Sequence, residues 1–132
     1  MGIFGAIGIA QSGLTLHRTW LDAVSDNLAN VSTVRPTSEA AFRARYVVAQ
    51  ETPGATGGVQ VAGAAFGDAQ GRLVHEPENP LADADGYVRY PDIDMSSQMT
   101  QLIMAQRGYE ANAAVVDRAK ETYTAALQIG RS

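Results

Sequence analysis

Few side chains in this 132-residue chain are spaced so that they could run a reaction or hold a ligand. The most suggestive is Asp83-Ala84-Asp85-Gly86, which has the carboxylate spacing and the glycine of a calcium loop. Aligning Gly86 with the invariant loop glycine puts Leu81 at the first ligand position and Asp92 at the twelfth. The first ligand is then lost and the bidentate glutamate shortened, so the stretch reads as an Asp-Gly turn leading into a strand at Tyr87. His17 and His75 stand in different parts of the chain, outside any HxxxH or HExxH pattern. His17 falls on an apolar helix seam, where a packed, hydrogen-bonded ring is the simple reading and a pH sensor the sharper one. Neither histidine has a local serine or carboxylate arrangement that suggests a nucleophile. Arg43 and Arg45 could bind an anion, but their alternation with Phe42, Ala44 and Tyr46 describes the solvated face of a strand. Asn30-Val31-Ser32 fits a glycosylation sequon placed at a helix end. Tyr109 and Tyr123 read as seam packing rather than a cofactor box. The chain has no cysteine, which removes disulfides, thiolate metal sites and a cysteine nucleophile together. No catalytic residue, metal ligand or cofactor is expected, and an enzyme is the weakest reading.

Composition narrows the classes further. Ten basic residues against 14 acidic ones give a net charge of -4 and no basic stripe for nucleic acid. Met1 to Leu16 carries no charged side chain. It lacks the positive front of a signal peptide, and Gly5, Gly8, Gln11, Ser12 and Gly13 dilute it below a membrane span of about 20 apolar residues. It also lacks the basic face of a helix lying on a membrane surface. Ala6 stands where N-myristoylation of Gly2 needs a hydroxyl. Export without a cleavable signal is the expectation if the chain leaves the cytosol.

The elements that must position these residues follow from spacing. Ile3, Ile7, Ala10, Leu14, His17, Leu21, Val24, Leu28 and Val31 alternate by four and three, the heptad seam of a coiled coil. Such a helix would be roughly 43 Å long at 1.5 Å per residue and needs a second long helix to cover its seam. Its glycines each weaken it by about 1 kcal/mol against alanine, so the first ten or so residues are expected to be disordered in the isolated chain. Met95, Met99, Leu102, Gln106, Tyr109, Ala113, Val116, Lys120, Tyr123 and Leu127 repeat the rhythm. Ser96 or Ser97 would cap this second helix and Gly130 would take the left-handed position after it. Between the helices lie all five prolines and a glycine-rich tract. Short strands are expected there at Tyr46 to Val48, Val59 to Val61, Arg72 to His75 and Tyr87 to Tyr90, forming small hairpins over a thin core.

The expected fold is therefore mainly α with a small β-rich insert: a coiled-coil helix in residues 1–32, the insert in 33–92, and a returning helix in 93–132. The long helices would pair as an antiparallel coiled coil, with the termini at one end and the insert at the other. Its exposed seam would be an assembly interface comprising Ile7, Leu14, Leu21, Val24 and Leu28 on the first helix. Met99, Leu102, Tyr109, Val116, Tyr123 and Leu127 would contribute from the second. Two function classes use such a seam: a self-assembling structural subunit, and a soluble coiled-coil adaptor that binds a partner helix.

Where the first helix ends, Ser25-Asp26-Asn27-Leu28-Ala29-Asn30-Val31-Ser32-Thr33 resembles the S-x-N-L-A-N-x-x-T signature of the flagellar axial rod and hook proteins. Its physical content is a helix stop, with Asn27 and Asn30 able to bond backbone groups where the ladder ends. Asn79 to Val88, followed by Pro91-Asp92-Ile93-Asp94, resembles the HPxADxxGYVxxPNVN stretch of the FlgC family of proximal-rod proteins. Asn79 replaces the usual histidine and Asp92 the usual asparagine. Tyr109-Glu110-Ala111-Asn112, Ala119-Lys120 and Leu127 to Arg131 are similar to the family's C-terminal elements, and Phe42 to Arg45 loosely matches its aromatic-basic segment. The signature positions are thus Ser25, Asn27, Leu28, Ala29, Asn30, Thr33, Gly86, Tyr87, Pro91, Tyr109, Asn112 and Gly130. The resemblance implies a structural subunit of the periplasmic proximal rod, a helical tubular drive shaft that transmits torque. It implies export through the flagellar type III apparatus. The implied neighbours are copies of the chain itself, the rod proteins FlgB, FlgF, FlgG and FliE and, more distantly, the MS-ring protein FliF. It implies neither nucleic-acid binding nor direct membrane insertion.

Overall fold

A computed structural model describes residues 2–131; Met1 and Ser132, the outer limits of the expected helical regions, lie outside the described residues. The elements run α1 (Ile3–Ala29), β1 (Arg45–Glu51), β2 (Val59–Phe66), β3 (Arg72–His75), β4 (Tyr87–Tyr90) and α2 (Met95–Gly130). The chain is mainly helical with two small antiparallel sheets, as its spacing implies.

α1 stops before Val31, the last position of the expected seam. Asn30 occupies the cap, its amide donating to the Asp26 carbonyl at 2.8 Å and its Oδ1 accepting from Thr33 Oγ1 at 3.0 Å. These side-chain bonds compete with the helical ladder and end it. The start is helical from Ile3, contrary to the disorder expected there. Phe4 packs edge-on against Tyr123 with ring centroids 5.3 Å apart, and Ala10 is buried. Tertiary contact thus outweighs the low helix propensity of the glycines.

Both ends of α2 differ from expectation. Asp94 is the N-cap, its carboxylate accepting from the Ser97 amide at 3.2 Å, while Ser96 and Ser97 already lie in the first turn. Gly130 is the last helical residue, and Arg131 follows it at φ -92° and ψ -10°, so no left-handed glycine cap forms.

The two long helices run antiparallel. Phe4 lies against Tyr123, Gly13 against Asn112 and His17 against Gly108. Nearer the insert, Trp20 Nε1 donates to Gln101 Oε1 at 3.3 Å, and the Asn27 amide donates to Gln98 Oε1 at 3.1 Å. The face of α2 turned to α1 carries Gln98, Ala105, Gly108, Asn112 and Val116. This face is rotated from the expected series. Leu102 and Val116 share in the packing, whereas Met99, Gln106, Lys120 and Leu127 stay exposed. Small residues at the contact let the two backbones approach closely, which the larger side chains would prevent.

β1 and β2 form a hairpin longer than the strands expected, with a bulge at which Val48 opposes Gly63 but Ala49 opposes Val61. The insert does not stand beyond one end of the helix pair. The hairpin folds back along α1, where Ser12 Oγ accepts from the Val59 amide at 3.1 Å and Ile9 reaches Gly57. β3 and β4 form the second hairpin. It is tied to the segment after α1 by paired backbone bonds between Arg35 and Arg89, both 2.9 Å. Gly71 precedes β3 at φ +59°, and a Cβ there would overlap the Tyr90 carbonyl oxygen. Val24, Asn27, Ala41, Ala44, Val88, Pro91, Ile93 and Gln98 are buried, so the core draws on the helix ends and the insert alike.

Candidate assembly interface

The signature residues at the end of α1 form a joint. Asn27 is fully buried; its amide donates to the Arg45 carbonyl at 2.9 Å and its Oδ1 accepts from the Arg45 amide at 2.8 Å. One side chain thereby pairs with the first residue of β1 as a neighbouring strand would. The same amide group reaches Gln98 Oε1, so Asn27 ties α1, β1 and α2 at one point. The Arg45 guanidinium adds a partly exposed ion pair to Asp26 at 2.8 Å. Asn30 and Thr33 close the helix as described, while Ser25 and Ala29 face outward and Leu28 is half-buried.

The second signature stretch is also structural. Asp83 Oδ1 accepts from the Asp85 amide at 3.0 Å and the Tyr87 amide at 2.9 Å, and Oδ2 accepts from Thr37 Oγ1 at 2.9 Å. The Tyr87 amide foremost holds the Asp83 carboxyl below the ordinary carboxylate pKa. Those oxygens organise a turn, and among the described residues no group of three or more His, Cys, Asp or Glu side chains could hold a metal ion. Gly86, at φ +85°, is buried against His75, whose ring tilts over Tyr87 at 5.0 Å. Tyr90 donates its hydroxyl to Glu76 Oε1 at 2.9 Å, a bond that raises the phenol pKa. Pro91 is fully buried between β4 and α2.

Midway along the helix pair His17 and Asn112 each lie across a glycine of the opposite helix. Nothing in the spacing of apolar residues points to Gly13 or Gly108 as contact residues. The signal that could have found them is the pairing of each with a polar side chain four residues later.

The candidate interface residues fall into two groups. Val24 and Val116 are buried inside the single chain, and Ile7, Leu14, Leu21, Leu28 and Leu102 are half-buried there. Met99, Tyr109, Tyr123 and Leu127 are exposed. Beside them the structure exposes Met95, Ile103, Met104 and Val115, which the heptad reading passed over or left off the interface. Met95, Met99 and Ile103 follow at every fourth residue and so form one stripe on α2. Among the described residues no helix is long and apolar enough to cross a membrane.

Comparison with known proteins supplies the context. The model of the family described as flagella basal body rod protein matches residues 7–37, and that described as flagellar basal body rod FlgEFG protein C-terminal matches residues 84–129. The chain is 39% identical over 134 residues to the flagellar basal-body rod protein FlgC of Escherichia coli O6:H1, covering 99% of this chain and all 100% of that protein. It is 31% identical to the FlgC proteins of Borreliella burgdorferi, at 98% coverage of both chains, and of Bacillus subtilis, at 99% and 100%.

Proposed function

The chain belongs to the family of flagellar basal-body rod proteins FlgC, and on that premise we propose that it builds the proximal rod by packing its terminal helices against those of neighbouring subunits. It is a structural component of the flagellar basal-body rod and not an enzyme. The finer reading is a helical tube in the periplasm that carries torque. Its subunits touch copies of themselves and the rod proteins FlgB, FlgF, FlgG and FliE, reach FliF at the base, and arrive through the flagellar type III export apparatus.

The observation that carries this reading is the outer face of α2. Met95, Met99 and Ile103, each one turn from the next, leave a contiguous apolar stripe uncovered on α2 of a single chain, and Leu127 leaves further apolar surface uncovered near the other end of that helix. Contiguous exposed apolar surface marks an interaction site. Contacts between different faces of successive copies extend into a helical filament when they do not close.

The test substitutes exposed residues, so that assembly is separated from folding. Met99→Asp and Leu127→Asp should leave the helicity of the purified chain unchanged. In a motile strain whose own copy is deleted, each should abolish swimming and the recovery of rods, because a carboxylate would be desolvated at the subunit contact. Normal swimming with both substitutions would sink the proposal that the exposed apolar residues of α2 form the interface.

A further inference from the structure

We propose that Gly13, His17, Gly108 and Asn112 form a reciprocal lock that holds α1 and α2 in one antiparallel register. On α1, His17 stands four residues after Gly13, and its Nδ1–H donates to the Gly13 carbonyl at 2.7 Å. On α2, Asn112 stands four residues after Gly108, and its amide donates to the Gly108 carbonyl at 2.8 Å. Each polar side chain is thus folded back along its own helix, with its hydrogen bond made before it meets the partner. Each then lies over the other helix's glycine. A Cβ added at Gly108 would overlap the His17 ring, and one added at Gly13 would sit 2.6 Å from Asn112 Oδ1. Four steps up α1, from Gly13 to His17, match four steps down α2, from Asn112 to Gly108.

Near the insert the Trp20–Gln101 and Asn27–Gln98 bonds favour this alignment; toward the far end, where Phe4 meets Tyr123, apolar burial alone would not choose it. The contact face of α2 is rich in small residues, with Ala105, Ala113 and Ala119 wholly or partly covered. A slide of one turn exchanges one small side chain for another at little cost in area. The lock does not tolerate that slide. His17 would move from Gly108 toward Ala105 or Ala111, and Asn112 from Gly13 toward Ala10 or Leu16, where side-chain carbon fills the hollow each requires. The lock is therefore one of shape: each polar side chain is hydrogen-bonded on its own helix in any alignment, and only this alignment gives both of them a glycine to lie over. The pairing is internal to one chain, so it does not rest on the assembly reading above. Its consequence is positional: the docked hairpin and the outer stripe of α2 keep a fixed offset along the helix pair.

The absence of cysteine makes the test clean, because every thiol in a variant is an engineered one. Phe4 and Tyr123 lie outside the lock and touch in the native register. Three versions of the full chain carry Phe4→Cys with Tyr123→Cys, with Ala119→Cys or with Leu127→Cys, the last two reporting a slip of one turn either way. A short bismaleimide linker is applied and the intramolecular product is quantified. The parent should favour the native pair by about tenfold, and His17→Leu or Asn112→Leu should cut that preference below about threefold. The exchange variant, His17→Asn with Asn112→His, rebuilds both halves of the lock on opposite helices and should restore the preference. That variant also answers whether the single substitutions merely unfold the chain, since it carries changes at both positions and must still pair. The lock is overturned if the parent shows no preference, if the single variants keep it, or if the exchange variant behaves like the singles.

Discussion

Replacing Asn27 with alanine should destabilise the chain more than any other single change at the α1 terminus. The substitution removes both bonds to the Arg45 backbone and the bond to Gln98. Gln98 is itself buried, whereas Arg45 is half-buried, so one of its two groups can turn to water. Two groups are then left unpaired in the interior, at about 1–3 kcal/mol each, for a loss of about 2–6 kcal/mol. Against a typical total of about 5–15 kcal/mol that is a large fraction. With a urea slope near 2 kcal/mol per molar, a loss of about 4 kcal/mol lowers the midpoint by about 2 M. The assay is urea unfolding followed by far-ultraviolet circular dichroism. Asn27→Asp should do at least as much damage near neutral pH. It keeps the acceptor for the Arg45 amide but points a buried carboxylate at two acceptor oxygens. Its deficit relative to the parent should shrink on acidification, because a buried carboxyl takes up its proton more readily in the folded state than in the unfolded one. Asn30→Ala, at the half-exposed cap, should cost only about 0.5–1.5 kcal/mol. A loss below about 1 kcal/mol for Asn27→Ala would refute the view that this side chain is the joint between α1, β1 and α2.

Other outcomes follow from single contacts. Gly71→Ala should unfold or displace the second hairpin, because the added methyl meets the Tyr90 carbonyl. Gly54→Ala, at φ +111° in open space, should cost only local strain; equal melting temperatures for the two variants would contradict this. The lowered pKa of Asp83 means that its contribution is fully present above the ordinary value of 3.8 and is lost as pH falls through the lower folded value. The Tyr87 amide resonance should therefore titrate below that ordinary value in the parent and lose this step in Asp83→Asn. Chelator should leave the melting curve unchanged, and a calcium-dependent rise in melting temperature would revive the Asp83 to Asp92 loop as a site.

Much of this protein was determined by local spacing. A four-three rhythm repeated over many turns can be satisfied only by helix, so the two long elements were legible from apolar residues alone. Proline and glycine confined the strands to the middle of the chain, and the Ser25 to Thr33 and Asn79 to Asp94 stretches carried the family. The Asp-Gly turn was legible too, because Asp83 bonds amides within four residues of itself. Only the tertiary structure decided which faces met. α2 has two usable stripes, one of large apolar side chains and one of small and polar residues, and helical periodicity does not rank them. Close approach of two backbones selects the stripe with Ala105, Gly108 and Asn112, since dispersion falls off steeply with separation and glycine permits the shortest approach. For the same reason Gly13, which local propensity marks as a weak point, became the seat of Asn112. The return of the first hairpin along α1 and the three-way bonding of Asn27 join residues far apart in sequence, between which no local pattern is repeated. Their positions depend on which buried polar groups find partners once the helices have docked.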